Sequence, residues 1–102
     1  MVIFNTTFQI SEGLQEPFIE WIKNEYIPLA IHSQMLFSPL LSRVLVQEDI
    51  EGDCYALQFH VNNLENLNKW YEDYGQGLNE KLIEKFASKV VGFSTVLERI
   101  EI

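Results

Sequence analysis

Polar side chains that could do chemistry lie within two stretches in which apolar and polar residues alternate. Asn5 and Thr7 belong to the first stretch, and Gln58 and His60 belong to the second. A neutral imidazole can orient a ligand or act as a base, and amides among apolar residues must find hydrogen-bond partners. Arg43 could hold a carboxylate through two parallel hydrogen bonds. These residues are candidates for binding a small-molecule ligand, while the sequence identifies no catalytic residue.

Several of these residues also have a simpler, structural explanation. His60 could be satisfied by a hydrogen bond across an interface between two copies of the chain, and we favour this interpretation. Arg43 could form a salt bridge to Glu98 or to another acid of a second copy. His32 lies near the end of the first predicted helix, where the helix dipole favours a histidine, so capping is its expected role.

We expect neither a metal nor a cofactor. Asp49, Glu51 and Asp53 are clustered, but Gly52 lies between the last two and breaks the ligand order of a calcium-binding EF-hand loop. They are expected to form the solvated acidic tip of a hairpin. The sequence has no histidine or cysteine cluster with zinc-ligand spacing, and no nucleotide-binding or serine-nucleophile motif. Cys54 is the only cysteine and is expected to be a small buried residue.

Composition limits the function classes further. The 102 residues are enough for one domain, and 47% of them are apolar, which favours a packed core over disorder. The formal net charge of -8 argues against binding to nucleic acid or to an anionic membrane. The chain has no signal-peptide pattern and no apolar run of membrane-spanning length. Together with the single cysteine, these features predict a soluble cytoplasmic protein.

The elements that must position these residues can be predicted from periodicity. Alternation of apolar and polar residues predicts strands at residues 2–10, 40–48, 54–62 and 90–101, with a turn at 49–53 between the middle two. Helical spacing of apolar residues predicts one helix after the first strand and another after Asn63, a good N-cap. Pro28 is expected to end or bend the first helix before it resumes. Gly75 and Gly77 are expected to divide the second helix into two pieces.

The resulting order is β-α-β-β-α-β. Two right-handed β-α-β crossovers around a central hairpin place both helices on one face of a four-stranded antiparallel sheet. This α+β architecture is the ferredoxin-like plait, and residues 1–102 form a single such domain. The helices cover one face of the sheet and leave the other face open.

Alternation along each strand predicts which residues lie on the open face. The second strand is ambiguous, and we favour an outward Arg43 because arginine is seldom buried without a partner. The residues predicted on the open face of the first three strands are Ile3, Asn5, Thr7, Gln9, Leu41, Arg43, Leu45, Ala56, Gln58 and His60. The last strand leaves two alternatives, either Ser94, Val96 and Glu98 or Thr95, Leu97 and Arg99.

The open face is predicted to be mixed in character. It carries too many aliphatic residues to lie in water, and too many polar residues to form a dry core. A homodimer in which the two sheets pack together would cover the aliphatic side chains. The polar side chains would then line a cavity or form hydrogen bonds across the interface. The expected partners are a second copy of the chain and a small molecule.

Three segments resemble a small bacterial family known only as a domain of unknown function. Its W-x-K-x-E-[HY]-I-P signature is similar to residues 21–28, and its Y-A-x-Q-[FY] strand is similar to residues 55–59. Its closing helix and strand are similar to residues 86–95. The resemblance implies a stand-alone ferredoxin-like protein of the dimeric α+β-barrel type, and it implies no activity.

The topology is more distantly similar to antibiotic-biosynthesis-type monooxygenases and haem-degrading enzymes, which is an analogy of fold alone. The haem-degrading enzymes use an Asn, a Trp and a His, and this chain has Asn5, Trp70 and His60. In those enzymes the histidine follows the tryptophan in a helix, whereas His60 precedes Trp70 and lies on a predicted strand. The triad therefore does not transfer, and Trp70 is expected to flank the core.

The sequence leaves three functional hypotheses. The favoured one is a non-catalytic homodimeric module that binds a small molecule or a partner through the open sheet face. The alternative is a small monooxygenase-like or isomerase-like enzyme with its site in the dimer cavity. A regulatory effector domain is the third, and it would need a separate DNA-binding partner.

Overall fold

A computed structural model describes residues 1–45 and 52–102. The end of the predicted second strand, 46–48, and most of the predicted turn, 49–51, lie outside the described residues. In chain order the elements are β1 (Val2–Ile10), α1 (Gln15–Trp21), a first π-helical turn (Ile22–Tyr26), α2 (Ile27–Ile31), β2 (Leu36–Arg43), β3 (Asp53–Val61), α3 (Leu64–Trp70), a second π-helical turn (Tyr71–Gly75), α4 (Gln76–Phe86), a 3-10 turn (Ala87–Lys89) and β4 (Val90–Glu98). The segment from α1 to α2 is called the first helix, and the segment from α3 to α4 the second helix.

The strands form one antiparallel sheet in the order β2-β3-β1-β4. β1 lies in the centre and pairs along its whole length with β3 on one side and β4 on the other. Its bounds are those that the alternating sequence predicted, while β3 begins and ends one residue before its predicted range. Because both helices pack on the same face of this sheet, the predicted ferredoxin-like α+β architecture is confirmed.

The second strand begins earlier than the sequence predicted. β2 covers Leu36–Arg43 and not 40–48. Its register against β3 shifts between Phe37 and Leu40, where Ser38 adopts a positive φ of 53° ahead of a proline. Proline lacks an N–H group, so sheets tolerate it only at edges and bulges. The proline made the start of this strand hard to predict, because the strand continues past it through a bulge on the sheet edge.

This bulge changes which β2 side chains face the helices. Directly paired residues lie on the same face of a sheet, so Leu41 opposite Leu57 and Arg43 opposite Tyr55 lie on the helix-covered side. The prediction of an outward Leu41 and Arg43 was therefore wrong, and Leu45 lies beyond the end of β2. Arginine can occupy the helix-covered side here because its side chain remains 57% exposed at the sheet edge.

The pairing of β4 decides between the two alternatives that the sequence left open. Ser94 is opposite Thr6, whose side chain lies on the buried side of β1. Thr95 and Leu97 therefore lie on the open face. The strand ends at Glu98, earlier than predicted.

Each helix contains a π-helical turn where the sequence predicted an interruption. The N–H of Ile27 donates to the carbonyl of Ile22, five residues earlier, and the next residue is Pro28. The N–H of Gln76 donates in the same way to the carbonyl of Tyr71. The helical backbone therefore continues past both predicted breaks, with a wider turn at each of them.

Gly52 and Gly75 each occupy a position where a larger residue would collide. Gly52 has a φ of 82°, and a Cβ there would lie 2.0 Å from the carbonyl oxygen of Ile10. A Cβ on Gly75 would lie 2.8 Å from the ring of Trp70 and 2.7 Å from the ring of Tyr71. Glycine is thus required at the base of the β2–β3 connection and inside the second π-helical turn.

The core is rich in aromatic residues and lies between the helices and one face of the sheet. Ring centroids are 5.3 Å apart for Phe8 and Phe18, and 5.7 Å apart for Phe4 and Trp70. Trp70 is 1% exposed, and its Nε1 donates a hydrogen bond of 2.8 Å to the carbonyl oxygen of Ala30. This bond ties the second helix to the end of the first. The core position predicted for Trp70 is confirmed.

The helix ends agree with the sequence where the structure tests them. The side chain of Asn63 accepts a hydrogen bond of 2.8 Å from the backbone N–H of Asn66, which confirms the predicted N-cap. His32 directly follows α2, and its dipole-related role stays a prediction. Among the helices of the described residues, none has both the length and the apolar character needed to cross a membrane.

Candidate functional site

The central strands bring most of the predicted site residues together on the open face. Asn5 of β1 lies directly opposite Gln58 of β3. Thr7 is the next outward residue on β1, and His60 is the next outward residue on β3. Opposed side chains on antiparallel strands have Cβ atoms about 4.5–5.5 Å apart, so this polar group is compact. All four side chains are half-buried.

Asn5 is the residue of this set whose side chain has an oxygen without a hydrogen-bond donor among the described residues. Its Nδ2 donates to the Oγ1 of Thr7 at 3.3 Å. Its Oδ1 is buried and accepts no hydrogen bond from the described residues. A buried carbonyl oxygen without a donor costs about 1–3 kcal/mol. Asn5 is therefore the open-face residue whose hydrogen bonding is incomplete within the described residues.

The ring of His60 packs against an aromatic neighbour on the edge strand. Phe37 of β2 is directly opposite His60, with ring centroids 6.0 Å apart and planes nearly perpendicular at 88°. This edge-to-face contact fixes the imidazole at the surface of the sheet. The half-buried imidazole therefore lies on the open face, from which a ligand or a second chain could form a hydrogen bond to it.

Arg43 does not belong to this polar group, because it lies on the other side of the sheet. Its guanidinium makes a 2.9 Å salt bridge to Asp53, which also accepts a hydrogen bond from Gln15. The hydrogen bonds from Gln15 and from Arg43 hold the pKa of the Asp53 carboxyl below its usual value. The carboxylate that Arg43 was predicted to hold is therefore a residue of its own chain, at the base of the β2–β3 connection.

Large apolar side chains surround the polar group on the open face. Phe93 of β4 is 62% exposed, and Leu40 of β2 is 56% exposed. Val91 and Leu97 add to the same surface on β4, since they alternate with residues of the helix-covered side. The open face thus combines a polar centre with apolar margins on both edge strands.

A cavity lies on the opposite side of the sheet, between β4 and the second helix. Its volume is about 250 Å³. We call it the helix-side cavity, and it is lined by Phe4, Thr6, Phe8, Tyr26, Trp70, Tyr71, Gly75, Asn79, Leu82, Gly92 and Ser94. Both π-helical turns contribute to it, the first through Tyr26 and the second through Tyr71 and Gly75.

The sequence reasoning missed this cavity. One available signal was the pair of small residues Gly92 and Ser94 on the last strand, whose facing was left open. Both lie on the helix-covered side and line the cavity. The other signal was the pair of helix interruptions, because π-helical turns are frequent at functional sites.

The polar side chains that line the helix-side cavity are all neutral. The hydroxyls of Thr6 and Ser94 lie 3.1 Å apart, within hydrogen-bond distance. The phenol of Tyr26 is protonated at neutral pH, and burial raises its pKa to about 12. Asn79 supplies an amide from α4. Such groups can orient a ligand, but none of them is an evident nucleophile or base at neutral pH.

The structure keeps the residues of the haem-degrading comparison apart. Asn5 and His60 lie on the open face, whereas Trp70 of α3 is buried between the second helix and the other face of the sheet. Within residues 1–45 and 52–102, no group of three or more His, Cys, Asp or Glu side chains could hold a metal ion. Cys54 is buried, as predicted.

Solved structures of this fold define the class of protein. An ethyl tert-butyl ether d (EthD) family protein from Bacillus halodurans is 18% identical, with a TM-score of 0.73 over 98% of this chain and 100% of that chain. A proposed antibiotic biosynthesis monooxygenase from Deinococcus radiodurans is 18% identical, with a TM-score of 0.72 over 100% of this chain and 95% of that chain. A dimeric ferredoxin-like protein from an uncultured marine organism is 17% identical, with a TM-score of 0.61 over 100% of this chain and 99% of that chain. The chain is thus a ferredoxin-like α+β protein.

Within that class, the chain belongs to the family described as Domain of unknown function (DUF4286), whose family model matches residues 1–100. This match confirms the resemblance carried by residues 21–28 and 55–59. Comparison with curated proteins gives no significant match. Identities below 25% to the solved structures show a shared fold, and function has to be argued from this chain's own surfaces.

Proposed function

We propose that the chain is a homodimeric, non-catalytic binding module whose two copies pack their open sheet faces together. The observation that carries this proposal is the apolar surface of that face, above all Phe93 at 62% and Leu40 at 56% exposure. A single protomer would leave these side chains in water, whereas a second copy would cover them. The ferredoxin-like relative from an uncultured marine organism is described as dimeric, which supports the same arrangement here.

The polar centre of the open face is the proposed ligand site. Asn5, Thr7, Gln58 and His60 lie on the two central strands and would face the same residues of the second copy across a two-fold axis. The half-buried polar side chains support this proposal, because a second copy would remove them from water and they would then need partners from the ligand or from that copy. Arg43 has no part in the site, since it is bound to Asp53 on the other side of the sheet.

Sedimentation velocity at micromolar concentration tests the dimer. We expect twice the chain mass of 11.9 kDa for the wild type. Phe93→Glu should give a monomer, because it would place a charge in an apolar interface. The matched control is Ile83→Glu on α4, where an apolar side chain with 56% exposure lies away from the open face and the dimer should persist. A monomeric wild type, or a dimeric Phe93→Glu, would refute the proposed interface.

Native mass spectrometry tests the ligand site. The protein purified from its own cells should carry a retained small molecule on the dimer, and His60→Ala should lose that molecule while remaining dimeric. Loss of the molecule without loss of the dimer separates a binding role of His60 from a purely structural one. An empty wild-type dimer, or equal retention by wild type and His60→Ala, would leave an assembly unit without a ligand site on this face.

A second candidate function is a small monooxygenase-like or isomerase-like enzyme with its site in the dimer cavity. It is supported by the fold relative from Deinococcus radiodurans, which is described as a proposed antibiotic biosynthesis monooxygenase. Oxygen uptake in the presence of the retained molecule tests the monooxygenase form. Uptake by the wild type that His60→Ala abolishes would favour the enzyme over the binding module, and no uptake above a buffer control would count against it.

We further propose that the protein acts in the cytoplasm without nucleic-acid or membrane partners. The single cysteine is compatible with the cytoplasm, and the formal net charge of -8 supports the absence of these partners, since it repels phosphate backbones and anionic lipids. Electrophoretic mobility of DNA and RNA at low salt, where attraction would be greatest, should be unchanged by the protein. A salt-sensitive shift would contradict the proposal.

A further inference from the structure

We infer that the helix-side cavity is a second binding site, for a small uncharged aromatic molecule that carries a hydroxyl or carbonyl group. It lies across the sheet from the proposed interface. It is contained within one protomer, so it does not depend on the dimer.

Small residues line the cavity on both β4 and the second helix. Gly92 and Ser94 face the helix from β4, in positions where β-strands usually place branched or aromatic residues. Opposite them, Gly75 sits in the second π-helical turn, with no room for a Cβ beside the rings of Trp70 and Tyr71. Residues with small or absent side chains therefore border the cavity on both elements.

The size and walls of the cavity fit a flat molecule. A buried cavity of about 150 Å³ is enough to bind benzene. The helix-side cavity, at about 250 Å³, has room for one ring or two fused rings. Five aromatic side chains contribute to its walls, and they are Phe4, Phe8, Tyr26, Trp70 and Tyr71.

The electrostatics of the cavity select against charge. None of the residues that line it is an acid, a lysine, an arginine or a histidine. The phenol of Tyr26 is neutral at neutral pH, and burial raises its pKa further, to about 12. A charged molecule would find no partner of opposite charge among the lining residues. A hydroxyl or carbonyl, in contrast, could bond to the hydroxyls of Thr6 and Ser94 or to the amide of Asn79.

Isothermal titration calorimetry with 2-naphthol tests this site. We expect saturable binding of one molecule per chain, and at least tenfold weaker binding of 2-naphthoate, which has a similar ring system and carries a charge. Lack of saturable 2-naphthol binding up to its solubility limit would overturn the inference. So would equal affinity for 2-naphthoate, because the site would then not select neutral molecules.

Two variants locate the binding within the cavity. Ser94→Leu should fill it from β4, and Asn79→Phe should fill it from α4; each should weaken 2-naphthol binding at least tenfold. Ser88→Leu, an exposed serine outside the cavity, is the matched control and should bind like the wild type. Thermal unfolding of each variant verifies that it is folded. The two filling variants lie on different elements, so that if one of them does not fold, the other still tests the site. Wild-type affinity in a folded filling variant would overturn the assignment.

The proposed dimer and the proposed cavity site can be tested independently of each other. Phe93→Glu, which should separate the protomers, changes the open face and leaves the cavity lining intact. It should therefore bind 2-naphthol within about twofold of the wild type. Loss of binding in this monomeric variant would contradict a site contained within one protomer, whatever the outcome for the dimer.

Discussion

The two faces of the central strand β1 differ in what they do for the protein. Phe4 and Phe8 point under the helices and belong to a dense set of aromatic contacts. Asn5 and Thr7, the residues next to them in the sequence, point to a face that no element of the described chain covers. One alternating segment can therefore stabilise the protomer through the side chains on one face and offer a surface for assembly on the other.

The largest expected effect comes from the helix-covered face. Trp70→Ala should lower the free energy of unfolding by about 3–5 kcal/mol, since it removes a buried ring and the bond to the Ala30 carbonyl. Denaturant unfolding in a Phe93→Glu background measures the protomer alone. In the same background, Thr95→Ala on the open face should change the free energy by less than about 0.5 kcal/mol. Similar losses of unfolding free energy in the two variants would contradict the proposed difference between the two faces.

The next effect concerns the open face and depends on concentration. If two copies pair through this face, each tenfold rise in protein concentration should stabilise the folded dimer by about 1.4 kcal/mol of dimer. The melting temperature of the wild type should therefore rise with concentration. Phe93→Glu should melt at a temperature independent of concentration. A wild-type melting temperature that does not change over a hundredfold range would argue against an obligate interface.

A smaller effect is expected at the start of the second helix, away from both faces. Asn63→Ala removes the side-chain acceptor for the N–H of Asn66 and should cost about 1 kcal/mol of unfolding free energy. Asn63→Asp keeps an acceptor and should retain most of that stability. Urea unfolding of the three proteins gives the ranking. Equal stability of the alanine and asparagine forms would show that the cap contributes nothing here.

The smallest effect should appear at the edge of the sheet and only with pH. Hydrogen bonds from Gln15 and Arg43 lower the pKa of Asp53 from its ordinary value of 3.8 in the folded state. The ionised carboxylate therefore adds stability above the unfolded-state pKa, and this contribution is lost as the pH falls through the folded-state pKa. Asp53→Asn should be less stable than the wild type at pH 7, and the difference should shrink below pH 4. A difference that is constant over this range would contradict the ion-pair account.

The sequence predicts the framework of this protein well because most of its elements have unambiguous periodicity. Strict alternation locates β1 in both bounds, and Asn63 marks the start of the second helix. The order of the elements then leaves one architecture that satisfies right-handed crossovers. The grouping of Asn5 and Gln58 on one face follows from the same alternation, because their strands pair in regular register.

Other features depend on contacts that alternation does not encode. Pro39 looks like a strand breaker in sequence, and only the bulge beside it shows why β2 starts at Leu36 and why Arg43 faces the other side. The helix-side cavity is lined by Gly92 and Gly75, which are distant in sequence and come to one site only in the packed structure. Their sizes are visible in the sequence, but their juxtaposition is a property of tertiary packing.

The pairing of the open faces is the central claim, and an isotope-filtered NOE experiment tests it most directly. A mixed sample of labelled and unlabelled chains reports only contacts between two copies. The account predicts intermolecular NOEs from the ring of Phe93 and the methyl groups of Leu97 and Leu40, and none from Ile83 on the helix-covered side. Intermolecular NOEs confined to helix residues, or no intermolecular NOEs at millimolar concentration, would contradict it.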